Sequence, residues 1–309
     1  MLSTALKQFA NPGSTYRGKP FWAWNGRLEP QELRRQIRIM KKMGLGGFFM
    51  HSRVGLDTPY LGDEWFDCVR ACIDEADKQG MEAWLYDEDR WPSGAAGGLV
   101  TKNPKYRARH LDVIITDDPK ALKQPGVIAA FTGKLDGTAV SGVAQISAKA
   151  RIKLDGTTKL LIFKETVSAP SEWYNGQTYL DTMNHEAVRE FIRVTHEKYR
   201  TQIGAEFGRL VPGIFTDEPN YFDGWNPGTL TTSFPWTRNL PALFKKRFGY
   251  AIEERLVEIF FDVEGVAVSR ARYDYHELIT GLFCDAFSRQ IGEWCGKNRI
   301  RFTGHVLGE

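Results

Sequence analysis

The side chains best suited to chemistry in this sequence are acids and histidines that directly follow short apolar segments. Asp217 and Glu218 close one such segment, and Asp87 and Glu88 close another. Two carboxyl groups can act as a general acid and a general base, and flat aromatic rings offer an apolar face to an uncharged polyol. The candidate catalytic residues are Glu218 and Glu309, and the candidate substrate-binding residues are Trp24, Asn25, His51, Arg53, Asp87, Glu88, Trp91, Asp217, Asn220 and His305.

Some of these residues have ordinary alternatives. The run of acids at 87–89 is also typical of a solvated turn, and a lone histidine such as His51 is more often structural. The pair Asp217 and Glu218 could begin a helix or form a turn. Its place after the apolar run Val211–Phe215 favours function instead, because active sites of parallel barrels lie at the carboxyl ends of the strands.

The elements that must position these side chains alternate along the first 110 residues. Apolar runs near 21–25, 46–51 and 83–86 indicate strands, and amphipathic segments from about 29 and 63 indicate helices. This order predicts parallel strands with crossover helices, in a barrel or an open doubly wound sheet. No glycine-rich phosphate loop follows the first strand, which disfavours a dinucleotide-binding fold.

The alternation stops between about Leu111 and Pro170. Short strand-like runs occur at 113–115, 127–128, 151–154 and 160–163, with Asp-Gly turns at 136–137 and 155–156. Asp-Gly between such runs is a strong hairpin signal. We therefore predict an antiparallel β insertion after strand three.

Three further strands are predicted at 178–181, 211–219 and 301–309. With six strands visible out of eight, the sequence predicts a (β/α)8 TIM-type barrel that is incomplete in this chain. We divide it into the first part of the barrel (1–110), the β-rich insertion (111–170) and the continuation of the barrel (171–309).

Composition restricts the class of protein and its partners. A net charge of +3 argues against nucleic acid and anionic membranes as partners, and no apolar run is long enough to cross a membrane. The first 18 residues have no signal-peptide core, which predicts a cytoplasmic protein. Four cysteines without metal-site spacing, Cys68, Cys72, Cys284 and Cys295, fit a reducing compartment.

Paired carboxyl groups beside tryptophans predict cleavage of a glycosidic bond in an oligosaccharide or glycoside. A non-catalytic carbohydrate-binding barrel is an alternative that would keep the tryptophans without needing paired acids. A metal-dependent hydrolase or epimerase is another, but it needs a His/Asp cluster, and only His51, His185 and His305 fall near predicted strand ends. Neither a Gly-x-Ser-x-Gly elbow nor a His-Glu-x-x-His helix is present.

Several motifs, in order, resemble the catalytic barrel of glycoside hydrolase family 106, the α-L-rhamnosidase-like enzymes, or a close sister group. They are 21–26, 34–41, 44–49, 80–94, 215–219, 272–275 and 303–309. The resemblance implies an inverting mechanism with two glutamates and a calcium ion near the substrate. Glu218 matches the strand-end acid, and Glu309 matches a second glutamate that is either the base or a calcium ligand. It also implies that further barrel strands and β-sandwich domains lie beyond Glu309.

Overall fold

The computed structural model describes residues 6, 8–147, 152–221 and 230–307. The strands are β1 (Phe21–Gly26), β2 (Gly47–Leu56), β3 (Glu82–Tyr86), β4 (Arg109–Thr116), β5 (Val127–Asp136), β6 (Ala139–Ile146), β7 (Lys159–Val167), β8 (Gly213–Thr216), β9 (Ser233–Trp236), β10 (Asp262–Val263) and β11 (Arg301–Gly304). The helices are α1 (Pro30–Lys42), α2 (Asp63–Gln79), α3 (His185–Val194), α4 (His196–Ile203), α5 (Leu240–Phe248), α6 (Leu256–Phe260), α7 (Arg270–Phe283) and α8 (Gln290–Lys297), with a π-helix, Cys284–Arg289, between the last two.

Local sequence explains where the first two helices begin and end. Pro30 stands in the first turn of α1, where its fixed φ suits a helix and its missing N–H is not needed. Leu33 and Ile37, one turn apart, are the buried face of α1. Gly80 ends α2 in the left-handed conformation, with φ +59°. Of the helices in the described residues, none is both long and apolar enough to cross a membrane.

Five strands form a parallel sheet in the order β1-β2-β3-β8-β11. The order follows the chain without the reversal that defines a doubly wound sheet. The outer face packs on the helices, so that Trp24 and Phe48 share one buried core with Ile37 of α1 and Trp65 of α2. The protein is therefore a mixed α/β fold whose parallel sheet carries its helices on the outside.

The parallel sheet is strongly curled. In a flat sheet the edge strands β1 and β11 would lie about 19 Å apart, since neighbouring strands are about 4.8 Å apart. Instead the ring of Phe21 on β1 lies 4.7 Å from that of Phe215 on β8 and 5.7 Å from that of His305, which follows β11. Phe21 still keeps 43% of its surface exposed. The inner face is therefore concave, and it remains open on this side in the described residues.

A second sheet has the order β10-β6-β5-β7-β4-β9 and is antiparallel except at one edge, where β10 runs parallel to β6. The hairpin between β5 and β6, which the Asp-Gly signal predicts, turns at Gly137 and Thr138 directly after Asp136, and the glycine has φ +58°. Strands β9 and β10 come from much later in the chain and complete its two edges. One face of this sheet packs against α5, α6 and α7 in a core of its own.

Two strand predictions are wrong. Residues 178–181 do not join the parallel sheet: Leu180 makes a single bridge to Arg107, and the Asp181 carboxylate accepts a hydrogen bond from the N–H of Met183, which turns the chain there. β3 pairs directly with β8 instead. Residues 152–154 are not a strand either (Arg151 lies outside the described residues), and β6 takes the corresponding place in the antiparallel sheet.

Candidate active site at the strand ends

Asp217, the first residue after β8, is surrounded by polar groups from three other strands. The hydroxyl group of Tyr86, at the end of β3, donates a hydrogen bond of 2.7 Å to Asp217 Oδ2. The His51 Nε2 atom lies 3.8 Å from the same oxygen, and His305 Nδ1 lies 3.6 Å from Oδ1. The rings of His51 and Tyr86 are in contact, with their centroids 3.8 Å apart and their planes tilted by 31°. Curling of the parallel sheet thus brings β2, β3, β8 and β11 to one point.

The surroundings of Asp217 favour its ionised form. Only 6% of the residue is exposed, and burial alone would raise the pKa of its carboxyl group. The contacts with His51 and Tyr86 and the nearby His305 outweigh burial, so the pKa is lowered overall. Asp217 is therefore a carboxylate at neutral pH that can accept hydrogen bonds from a hydroxyl-rich ligand and orient the two histidines.

Glu218 adopts a strained backbone conformation, with φ +45°. A residue with a Cβ rarely occupies this region, and such strain is concentrated at functional sites. Asn220 stabilises the turn: its side-chain amide donates to the Glu218 carbonyl at 2.8 Å, and its N–H donates to the Tyr179 hydroxyl at 3.3 Å. Glu218 is half-buried, so part of the residue is accessible to solvent.

The loop that follows β3 is tied to the end of β8 through Ser93. The Ser93 hydroxyl donates to Asp87 Oδ1 at 2.6 Å and accepts from the N–H of Asp217 at 2.8 Å, and the Ser93 N–H donates to the Asp217 carbonyl. Asp87 is fully buried, which is the main reason that its pKa is raised. His196 of α4 lies behind it, with Nε2 3.9 Å from Asp87 Oδ2. Asp87 thus lies beneath the cleft and supports the residues that face it.

Glu88 organises the same loop from within. Its two oxygens accept hydrogen bonds from the N–H groups of Asp89, Gly94, Ala96 and Gly97 at 2.6–2.8 Å. The side chain has no exposed surface, and burial raises its pKa to about 7 against the pull of these four donors. The geometry assigns Glu88 to holding the loop in place, not to substrate contact.

The other predicted binding residues divide between the two faces of the sheet. Trp24 is 1% exposed and packs against Trp65 on the outer face, with ring centroids 5.0 Å apart, so it cannot reach the cleft. Asn25, next on β1, is exposed. Arg53 and Trp91 line a small cavity of about 90 Å³ together with Trp173.

Trp91 and Trp173 form an aromatic wall beside that small cavity. Their ring centroids are 5.3 Å apart, and the indole N–H of Trp173 donates to the Trp91 carbonyl at 2.6 Å. Trp91 is 39% exposed, an amount that leaves part of its ring free for a ligand. Such a wall suits stacking against the C–H face of a sugar ring.

A calcium ion takes about six to eight oxygen ligands. Across the described ranges, no three His, Cys, Asp or Glu side chains come together as a metal site. Both Glu88 oxygens already accept backbone hydrogen bonds, and those of Asp217 face Tyr86 and the two histidines. In the described residues these oxygens are engaged with the protein itself, and calcium binding stays a prediction. Glu309, the other candidate catalytic residue, lies outside the described residues.

No protein-family model and no curated protein matches this chain. Among solved structures, a rhamnosidase from Novosphingobium sp. PP1Y is similar, with a TM-score of 0.63 and 15% sequence identity over 98% of this chain. The likeness shows a shared fold. This chain covers 47% of that protein, about half its length.

Sequence reasoning misses several residues that the structure places at this site. Tyr86 and Ser93 bind the Asp217 region directly, and Trp173 completes the aromatic wall. Tyr86 could have been found, because it is the last residue of a predicted strand whose next residue is a candidate. Trp173 has no such signal, since it is far in sequence from Trp91 and only the tertiary fold brings the two together.

Proposed function

We propose that this protein is a glycoside hydrolase that cleaves a glycosidic bond with paired carboxyl groups, is α-L-rhamnosidase-like, and inverts the anomeric configuration. The observation that carries the proposal is the arrangement at the end of β8, where strained Glu218 follows an ionised Asp217 held by Tyr86 and His51. The fold shared with a rhamnosidase supports it. In such a fold, catalytic groups lie at the carboxyl ends of parallel strands.

In this proposal Glu218 is the general acid. It donates its proton to the departing glycosidic oxygen as the bond from the anomeric carbon to that oxygen breaks. A water molecule attacks the same carbon from the opposite face and gives its proton to a second carboxylate, which we assign to Glu309. An inverting enzyme keeps the two carboxyl groups roughly 6.5–9.5 Å apart to admit this water.

Substrate binding falls to the side chains around the acid. Asp217 and His305 would bind hydroxyl groups, and Trp91 would stack on the sugar face. His51 is only 2% exposed, so it would orient Asp217 from within the protein and not contact the sugar. We also propose that the curled sheet belongs to a (β/α)8 barrel. Its sequential strand order and its concave inner face, where Phe21 is partly exposed, support this.

Glu218→Gln tests the proposal. The variant should lose turnover by about 10²–10⁴-fold on alkyl glycosides, whose leaving groups need protonation. It should lose much less on activated aryl glycosides. Glu190→Gln is the matched control, because Glu190 lies on α3 and pairs with Arg193. Equal losses of turnover on both substrates would show that Glu218 is not the general acid. Wild-type rates on both substrates would show that Glu218 is not part of the active site.

A further inference from the structure

A cavity of about 390 Å³ lies between the loop after β3 and the antiparallel sheet. This size falls within the range of about 300–1,000 Å³ typical of small-molecule sites. Large aromatic and aliphatic side chains form most of its wall, among them Trp91, Tyr179, Met183 and Trp236. Such a wall can bury an apolar group of ring size.

The polar groups of this cavity are few and mostly engaged with the protein itself. His110 Nε2 and Ser168 Oγ lie 2.6 Å apart and satisfy each other. Asp181 Oδ2 accepts from the Thr237 hydroxyl at 2.7 Å. A sugar ring would have to lose the hydration of several hydroxyl groups here, at a cost of about 1–3 kcal/mol for each group left without a partner. An aromatic ring with one polar substituent loses far less.

The cavity adjoins the proposed acid. Asn220, which holds the carbonyl of Glu218, also lines the cavity wall. Because Asn220 is two residues from Glu218, the cavity lies next to the strand end that carries the proposed acid, and Trp91 is shared between the cavity and the small cavity beside Arg53.

We propose that this cavity binds the leaving group of the substrate, and that this group is an aromatic aglycone whose polar substituent meets Asp181. The assignment rests on the proposed function. Within it, the sugar lies on the polar side with Arg53 and His305, and the aglycone lies on the apolar side with Trp236 and Met183.

Equilibrium binding of 2-naphthol, measured by calorimetry, tests the cavity without any turnover. Ala108 and Ser168 line it from neighbouring positions, so Ala108→Leu and Ser168→Leu should each narrow it. Ala139→Leu adds the same side chain at an exposed position of β6 as a control. Each narrowing variant should weaken binding at least about tenfold, the equivalent of about two CH₂ groups no longer buried. The control should bind like the wild type.

Absence of naphthol binding to the wild type, or equal binding to all four proteins, would overturn the proposal. Displacement of naphthol by free L-rhamnose would also overturn it, because the cavity would then be a sugar site. If circular dichroism shows that one narrowing variant is unfolded, the other decides.

A kinetic comparison separates this proposal from the proposed function. The narrowing variants should raise KM about tenfold for a 2-naphthyl glycoside and leave KM for the methyl glycoside unchanged. Naphthol binding does not depend on hydrolysis, so a failed Glu218→Gln test leaves the binding result standing. Conversely, if naphthol does not bind in the cavity, the role of Glu218 is still decided by the kinetics of Glu218→Gln.

Discussion

Asp217 and Asp181 are two buried carboxyl groups, and their surroundings move their pKa values in opposite directions. They are 6% and 3% exposed. Asp217 lies among Tyr86 and two histidines, and its pKa is lowered. Asp181 lies in the apolar cavity, where burial raises its pKa to about 7 in spite of its bonds to Thr237 and the Met183 N–H.

The difference shows that burial alone does not decide the charge of a carboxyl group. What decides it is whether the protein supplies charged or strongly donating partners. The strand ends of the parallel sheet supply them and form a polar region suited to hydroxyl groups. The antiparallel sheet supplies few, and the space beside it suits an apolar group.

Glu88 adds a third buried carboxyl group to the comparison, one that is held only by backbone N–H groups. Of the substitutions considered, Glu88→Ala is expected to lower the free energy of unfolding the most. Glu88→Ala would leave the N–H groups of 89, 94, 96 and 97 buried without an acceptor. We expect a loss of about 5 kcal/mol in the free energy of unfolding. Urea denaturation measures it, with Glu190→Ala on the surface of α3 as the control. A loss below about 1 kcal/mol would mean that water replaces the carboxylate.

Asp217→Asn tests the polar side of the comparison. Asparagine keeps the shape but removes the charge that faces His51 and His305. We expect kcat/KM to fall about 10³-fold, or about 4 kcal/mol. Asp67→Asn, an exposed residue of α2 paired with Arg70, is the control. If Asp217→Asn retains a third or more of wild-type kcat/KM, the charge of Asp217 has no part in the reaction.

Asp181→Asn tests the apolar side through the pH dependence of stability. Because the folded-state pKa of Asp181 is raised, its protonated form is favoured in the native protein. The stabilisation that protonated Asp181 gives the folded protein is therefore fully present below about pH 4 and is lost as pH rises towards about 7. Relative to Asp181→Asn, the wild type should lose about 3 kcal/mol between about pH 4.5 and 7.5. Parallel pH profiles for the two proteins would show that Asp181 is not held in its protonated form.

Tyr86→Phe has the smallest expected effect. It removes one hydrogen bond to a carboxylate that keeps its two histidines. We expect a loss of about 1.5 kcal/mol in the free energy of unfolding at pH 7. Because the pKa of Asp217 is lowered, this loss should shrink as pH falls below about 4. Tyr16→Phe, at an exposed tyrosine, is the control. A loss that does not change with pH would indicate a packing effect instead.

Prediction from sequence succeeds best where the hydrophobic pattern is local. Strands β1, β2, β3, β8 and β11 form at the predicted places, because each contains a short apolar run bounded by turn residues. The predicted end of β2 at His51 is wrong, since that strand continues to Leu56. Residues 178–181 carry a similar pattern and fail. Asp181 binds the backbone two residues later, and Leu180 pairs with Arg107, a partner about 70 positions away that no local pattern reveals.

The sequence by itself determined that acids and histidines follow the parallel strands, since the order of apolar runs and polar ends is written along the chain. Only the tertiary structure decided which of them share a site. The curl of the parallel sheet brings Phe21 of one edge strand to His305 beyond the other. Trp24 faces away from the cleft because side chains alternate along β1, which places Trp24 opposite Phe21 and against the helices. The different pKa directions of Asp217 and Asp181 likewise depend on groups distant in sequence, Tyr86 for one and Thr237 for the other.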